Sequence, residues 1–255
     1  MPQGPNVFKH FYAPRLVLPY SKARHAYHLF HERHPHPIWP AAPAPNAPAP
    51  APAPAMSAPV PPSQGDKTDK TIDHIVPQSI YAGAPKPNVM RSDMHNFFVF
   101  PSKLNTRKSN LQYIDVHHVH SMLDPRFHVL DPHGILSCVR ALHDAWAESD
   151  DEDQHILVTS KNGKTVIPPA CLRGLIARTV CYMSTIYDAY APSIYRNVLD
   201  PYTLLDWHRL HPVSKYEYDR AMFVEHVQGN TNPFVKYPEL LPLEIERWSE
   251  SNPDS

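Results

Sequence analysis

The spacing of apolar positions changes several times along the chain, and each change predicts an element. Residues 71–76, TIDHIV, read as a short strand that stops at Pro77. Residues 97–100, FFVF, read as a second, buried strand ending at Pro101. The segment PSKLNTRKSN then opens a helix, with Ser102 as its candidate cap. In ILVTSKNGKTVIPP two β-type runs flank Asn162-Gly163, which predicts a hairpin. Residues 170–190 follow a helical pattern, and a shorter helix is expected over 202–210. The last clear helix begins at Ser214. Glu217 stands at capping-box spacing, Val213 and Tyr218 at the staple positions, and Gly229 at the C-terminal end. A strand-strand-helix unit, a hairpin and then several helices predict an α+β fold, not a doubly wound parallel sheet.

The first quarter of the chain is different. About half of the 31 prolines fall within the first 62 residues, and 40–62 read PAAPAPNAPAPAPAPAMSAPVPP. Alternating Pro and Ala favours polyproline II, which has no internal hydrogen bonds and packs against nothing. Upstream, Lys9, Arg15, Lys22, Arg24 and Arg33 face the single acid Glu32. Residues 1–65 are therefore expected to be a disordered basic leader and linker, and 66–255 one globular domain. His25, His28, His31 and His34 recur every three residues, but no carboxylate or cysteine completes a metal set, and Pro35 and Pro37 stop a helix.

The formal net charge is -1, so any polyanion site must be a local patch. Three cysteines, Cys138, Cys171 and Cys181, exclude a disulfide-stapled scaffold and lack zinc-site spacing. No apolar run is long enough to span a bilayer, and MPQGPNVFKHFYAPRLVLPY lacks the shape of a signal peptide. Neither membrane association nor a compartment is indicated. The acidic block ESDDED at 148–153 reads as a solvated loop. In His117, His118 and His120 only alternate members could share a strand face.

Chemistry concentrates between Thr71 and Asn110. Asp73 adjoins His74; Asp93, His95 and Asn96 follow, then Asn105, with Arg91, Lys103, Arg107 and Lys108 around them. A hard cation such as Mg²⁺ takes oxygen ligands and keeps several waters, so one carboxylate and one amide suffice. A neutral imidazole can accept a proton from water, and Lys and Arg can hold phosphates. Adjacent strand residues point to opposite faces, so Asp73 and His74 share a site only where the strand ends or bends. From composition and spacing alone the cluster reads first as a surface ion-pair network and second as a nuclease site.

TIDHIVPQS, followed by SDMHNFFVFPSKLNTRKSN, resembles the signature of the endonuclease I family, nucleases of the ββα-metal (His-Me finger) superfamily. The resemblance continues in RGLIARTVCYM at 173–183 and in LLDWHRLHPVSKYEYDRAMFVEHVQGNTNPF at 204–234. It implies a ββα-metal core with additional helices. The implied function is a metal-dependent, largely sequence-non-specific endonuclease that cleaves DNA, with RNA as a further candidate, to 5′-phosphate and 3′-hydroxyl ends. By the same resemblance His74 is the general base. Asp73, where glutamate is usual, and Asn105 are the metal ligands, for Mg²⁺ with Mn²⁺ or Ca²⁺ as alternative occupants. Lys108 takes the place of the family's arginine, and with Arg107, Lys103 and Arg91 it contacts phosphate. His95, Asn96 and Asn110 support the site, and either Lys86 or Arg91 steadies the cleaved phosphate. Trp207, His208, Gln228 and Asn230 read as structural, with Gln228 and Asn230 as alternative DNA contacts. A monomer is expected, with nucleic acid as its partner. The alternatives are a site-selective HNH-type nuclease and a catalytically inactive DNA-binding protein of the same fold.

Overall fold

TIDH and FFVF pair as antiparallel strands, with Asp73 opposite Phe98 and His74 opposite Phe97. The structure, a computed structural model, describes residues 12–14, 18–34, 70–85, 87–115, 158–159, 165–168 and 170–253. Its elements are α1 (Tyr20–Arg33), β1 (Lys70–His74), α2 (Pro87–Ser92), β2 (Phe97–Pro101), α3 (Ser102–Lys108), β3 (Gln112–Tyr113), β4 (Val158–Thr159) and β5 (Thr165–Ile167). Then come α4 (Ala170–Ile186), α5 (Ala191–Asn197), α6 (Pro201–Leu210), α7 (Lys215–Gln228), α8 (Pro233–Lys236) and α9 (Leu240–Ser251). This is a mixed α and β architecture, mostly helical. The Asn162-Gly163 turn, Lys86, Cys138, the 148–153 acidic block and His117, His118 and His120 lie outside the described residues.

Side chains alternate along a strand, so one face of the β1–β2 pair carries Ile72, His74, Phe97 and Val99, and the other Asp73, Phe98 and Phe100. Both faces are covered, which is why FFVF shows no polar alternation. Phe98 and Phe100 join the main core with Leu175, Ile176 and Val180 of α4. Ile72, Phe97 and Val99 pack with Met94, Val224 and two residues of α1, Ala23 and Tyr27.

Within the leader expected to be disordered, Tyr20–Arg33 forms a packed helix, while residues 1–11, 15–17 and 35–65 lie outside the described residues. Ala23, Tyr27 and Phe30 of α1 recur at helical spacing and are buried. The Tyr27 hydroxyl donates to the Phe97 carbonyl at 2.8 Å and accepts from Arg220 Nε at 2.6 Å. Arg220, itself fully buried, also donates to the carbonyls of Met94, His95 and Phe97. One guanidinium thus ties α1, α7 and the turn that leads into β2. His25 is exposed and His31 buried, and among the described residues no three His, Cys, Asp or Glu side chains are grouped to hold a metal.

Several local expectations hold. β4 and β5 pair antiparallel, with Val158 opposite Ile167. The parallel partner of β5, β3, was not legible in the sequence. Ser214 caps α7 by accepting from the Glu217 amide at 3.1 Å, and Gly229 ends that helix with φ 76. The reciprocal half of the capping box is not made, because the Glu217 carboxylate binds the Arg178 guanidinium at 2.7 and 2.6 Å. Two helices, α8 and α9, follow α7, where none had been clear in the sequence.

Candidate active site

Strand β1 ends at His74, and the chain bends at once. Asn96 holds the bend. Its Oδ1 accepts from the Val76 amide at 2.7 Å, and its Nδ2 donates to the Val76 carbonyl at 3.0 Å. Ile75 N also donates to the Asn96 carbonyl at 3.0 Å. A buried amide that satisfies both backbone groups of one residue fixes the path of the chain there. Asp73 and His74 leave β1 on opposite faces, but they do so at its last two residues.

His74 is buried, and its orientation is determined. Nε2 lies 2.9 Å from the Arg91 carbonyl, which can only accept, so Nε2 carries the proton. Nδ1 therefore presents a lone pair. Its neighbour is the Gln78 amide at 3.2 Å, on an exposed side chain. Burial is the main cause that lowers the His74 pKa to about 4; the bond to Arg91 opposes it, and Lys108, Arg91 and Arg24 lower it further. At neutral pH the ring is the free base. The Phe97 ring packs edge-on to it at 5.1 Å, and the Tyr20 ring lies 5.7 Å away.

Asp73 is 8% exposed, and its Oδ2 meets the ammonium of Lys108, which is 0% exposed, at 2.7 Å. The same ammonium donates to the carbonyls of His74 at 3.1 Å and Ser109 at 3.3 Å. Burial pushes the Asp73 pKa up; Lys108 pulls it down, but not enough to cancel. The expectation of Lys108 as a phosphate contact is therefore corrected. Its charge is turned inward and pins α3 to the end of β1. Asn105 is half-buried and stands one helical turn before Lys108, on the same side of α3. By residue type Asp73 and Asn105 offer the oxygen donors that a hard, water-retaining cation takes.

Arg91 meets the site twice: its carbonyl orients His74, and its guanidinium lies 4.2 Å from the centroid of the Tyr20 ring. Asn110 is exposed beyond α3. Lys103 and Arg107 lie on α3, but their side chains are outside the described residues. His95 is fully buried; its Nε2 donates to the Asn230 carbonyl at 3.1 Å, and burial lowers its pKa to about 4. It supports the fold. Sequence reasoning missed Tyr20 and Gln78 and named Arg24 only among the basic residues of the leader. No motif marks them, and only the docking of α1 and the turn after β1 bring them in.

The C-terminal blocks are spent on packing. Asp93 accepts from His95 N, Gln228, Tyr182 and Tyr187 at 2.8–3.0 Å. Gln228 also accepts from Met94 N, and Asn230 donates to Tyr182. Neither amide is free to contact DNA. Gly174 is required for a close approach, since a Cβ there would stand 2.3 Å from the His211 carbonyl. Trp207 donates to Asp115, and burial, with Arg178 beside it, lowers the His208 pKa to about 4.

A family model described as Endonuclease I matches residues 132–239, which include the Arg178, Glu217 and Asn230 framework but not Asp73, His74 or Asn105. Over those residues the chain is similar to the endonuclease I family. An extracellular deoxyribonuclease of Aeromonas hydrophila is 26% identical over 149 residues, 58% of this chain and 51% of that protein. A periplasmic deoxyribonuclease of the same organism is 25% identical over 149 residues, 58% of this chain and 49% of that protein. Endonuclease-1 of Buchnera aphidicola is 36% identical over 72 residues, 28% of this chain and 27% of its own length. The chain spans about half the length of the two Aeromonas relatives. The matched stretch takes in the blocks at 173–183 and 204–234, which pack behind the strand pair. Among the described residues no helix is long and apolar enough to cross a membrane.

Proposed function

We propose that the chain is a metal-dependent, largely sequence-non-specific endonuclease that hydrolyses DNA, and RNA secondarily, to 5′-phosphate and 3′-hydroxyl ends. Two antiparallel strands followed directly by α3 suit a ββα-metal core. The observation that carries the reading is the His74 ring, neutral and with Nε2 committed to Arg91, so that Nδ1 alone can accept a proton. Water entering in place of the Gln78 amide would give its proton to Nδ1 as its oxygen attacks phosphorus. Asp73 and Asn105 would hold the divalent cation, Mg²⁺ or in its place Mn²⁺ or Ca²⁺, which supplies charge neutralisation at the phosphate and the departing 3′ oxygen. Arg91, exposed and with its carbonyl bonded to His74, would steady the cleaved phosphate, with Arg107 and Lys103 of α3 as further phosphate contacts. The protein is proposed to act as a monomer.

Nicking of supercoiled plasmid, with Mg²⁺ and with EDTA, tests this. His74→Ala should lose at least about 100-fold in rate while its circular dichroism is unchanged. Equal nicking by the variant and the wild type overturns the mechanism. Cleavage at a few defined positions would point to a site-selective nuclease. A second reading, a non-catalytic DNA-binding protein, is favoured by one contact: the Lys108 ammonium already neutralises Asp73. Salt-sensitive DNA retention with no metal-dependent nicking would establish it.

A further inference from the structure

We infer that α1 is part of the nucleic-acid site, with Tyr20 positioning the Arg91 guanidinium beside His74 and Arg24 supplying an additional phosphate contact. The inference rests on the nuclease reading and extends it to a segment outside the motifs that suggested it.

Four observations converge. Tyr20 is the first residue of α1, half-buried, with its ring 5.7 Å from the His74 ring and 6.1 Å, edge-on, from Phe97. The Arg91 guanidinium lies 4.2 Å from the Tyr20 centroid, and that of Arg24, one turn along α1, lies 5.5 Å from it. Arg91 is anchored at its other end, because its carbonyl accepts from His74 Nε2. The docking is firm, since Tyr27, two turns after Tyr20, bonds to both Arg220 and the Phe97 carbonyl.

Two guanidinium groups on one aromatic ring repel each other. No carboxylate is bonded to either of them among the described contacts, whereas Arg178 and Arg247 hold glutamates. A phosphodiester backbone supplies the missing negative charge. An Arg side chain that rests on an aromatic ring keeps its N–H edge free for phosphate while losing rotamer freedom, which favours a fixed distance from the base. Tyr20 thus acts through Arg91, and Arg24 acts on the neighbouring phosphate.

The full-length chain should be tested as Tyr20→Leu, Tyr20→Phe and Arg24→Gln, with His74→Ala as reference. In steady-state nicking, Tyr20→Leu should lower kcat about tenfold, and Tyr20→Phe, which keeps the ring, should restore it. Arg24→Gln should raise KM with kcat little changed. In the His74→Ala background, binding of a fluorescein-labelled DNA duplex should show a salt slope reduced by about one when Arg24 is replaced. Melting temperatures separate folding from function. Wild-type kinetics and salt slope in the Tyr20→Leu and Arg24→Gln variants overturn the inference while leaving the nuclease reading intact. Activity lost only in step with the folded fraction overturns it too. A wild type that does not nick DNA overturns the nuclease reading itself, and the inference with it.

Discussion

Replacing Lys108 by methionine isolates the charge buried at the end of β1. The ammonium lies 2.7 Å from Asp73 Oδ2 and is fully enclosed. At an effective dielectric of about 20 the attraction is about 6 kcal/mol, but desolvation offsets most of it. The direction of the Asp73 pKa shows which effect is larger: it is raised, so burial outweighs the cation beside it. The pair as a whole therefore adds little stability, yet breaking it strands a buried carboxylate and costs about 3–5 kcal/mol. The carbonyls of His74 and Ser109 each lose a donor as well, at about 1 kcal/mol apiece. Urea unfolding of wild type, Lys108→Met, Asp73→Asn and the double variant measures these terms. The double variant should be at least about 2 kcal/mol more stable than Lys108→Met, and still below wild type because the two carbonyls stay unpaired. A coupling energy under about 0.5 kcal/mol refutes the buried pair, and with it the argument that Lys108 is spent on structure and not on phosphate.

Two further outcomes are expected. A chain beginning at residue 66 loses α1, and burial of Tyr27 and Phe30 alone is worth about 3–6 kcal/mol; thermal unfolding should show it strongly destabilised, and a stability within about 1 kcal/mol of the full chain contradicts the docking of α1. His95 stays neutral in the fold to about pH 4, whereas the unfolded chain protonates near 6.5, so its contribution of about 3 kcal/mol is fully present above pH 6.5 and is lost as pH drops toward 4, alongside those of His74 and His208; His95→Gln should reduce, not abolish, the slope of that part of the urea-midpoint profile, and an unchanged profile refutes the burial of a neutral ring.

The sequence by itself determined the local elements whose signals lie within a few residues. Pro101 closes β2, Ser214 and Gly229 bound α7, and the unbroken FFVF run required a strand covered on both faces, whereas β1 stops at His74, short of Pro77, because Asn96 bends the chain at Val76. It also suggested a candidate base and metal-type ligands, because Asp73, His74 and Asn105 sit in blocks that resemble a known family's. It could not say what covers the second face. That cover is α1, whose apolar residues are diluted among histidines and separated from β1 by a Pro/Ala-rich segment, so no local pattern ties the two together. Nor could the sequence distinguish cations that face solvent from those turned inward. Lys108, Arg178 and Arg220 look on paper like Arg91 and Arg24. Only the packing around them decides which charges are committed to the interior and which remain for a polyanion, because desolvation depends on every neighbour in space and not on spacing along the chain.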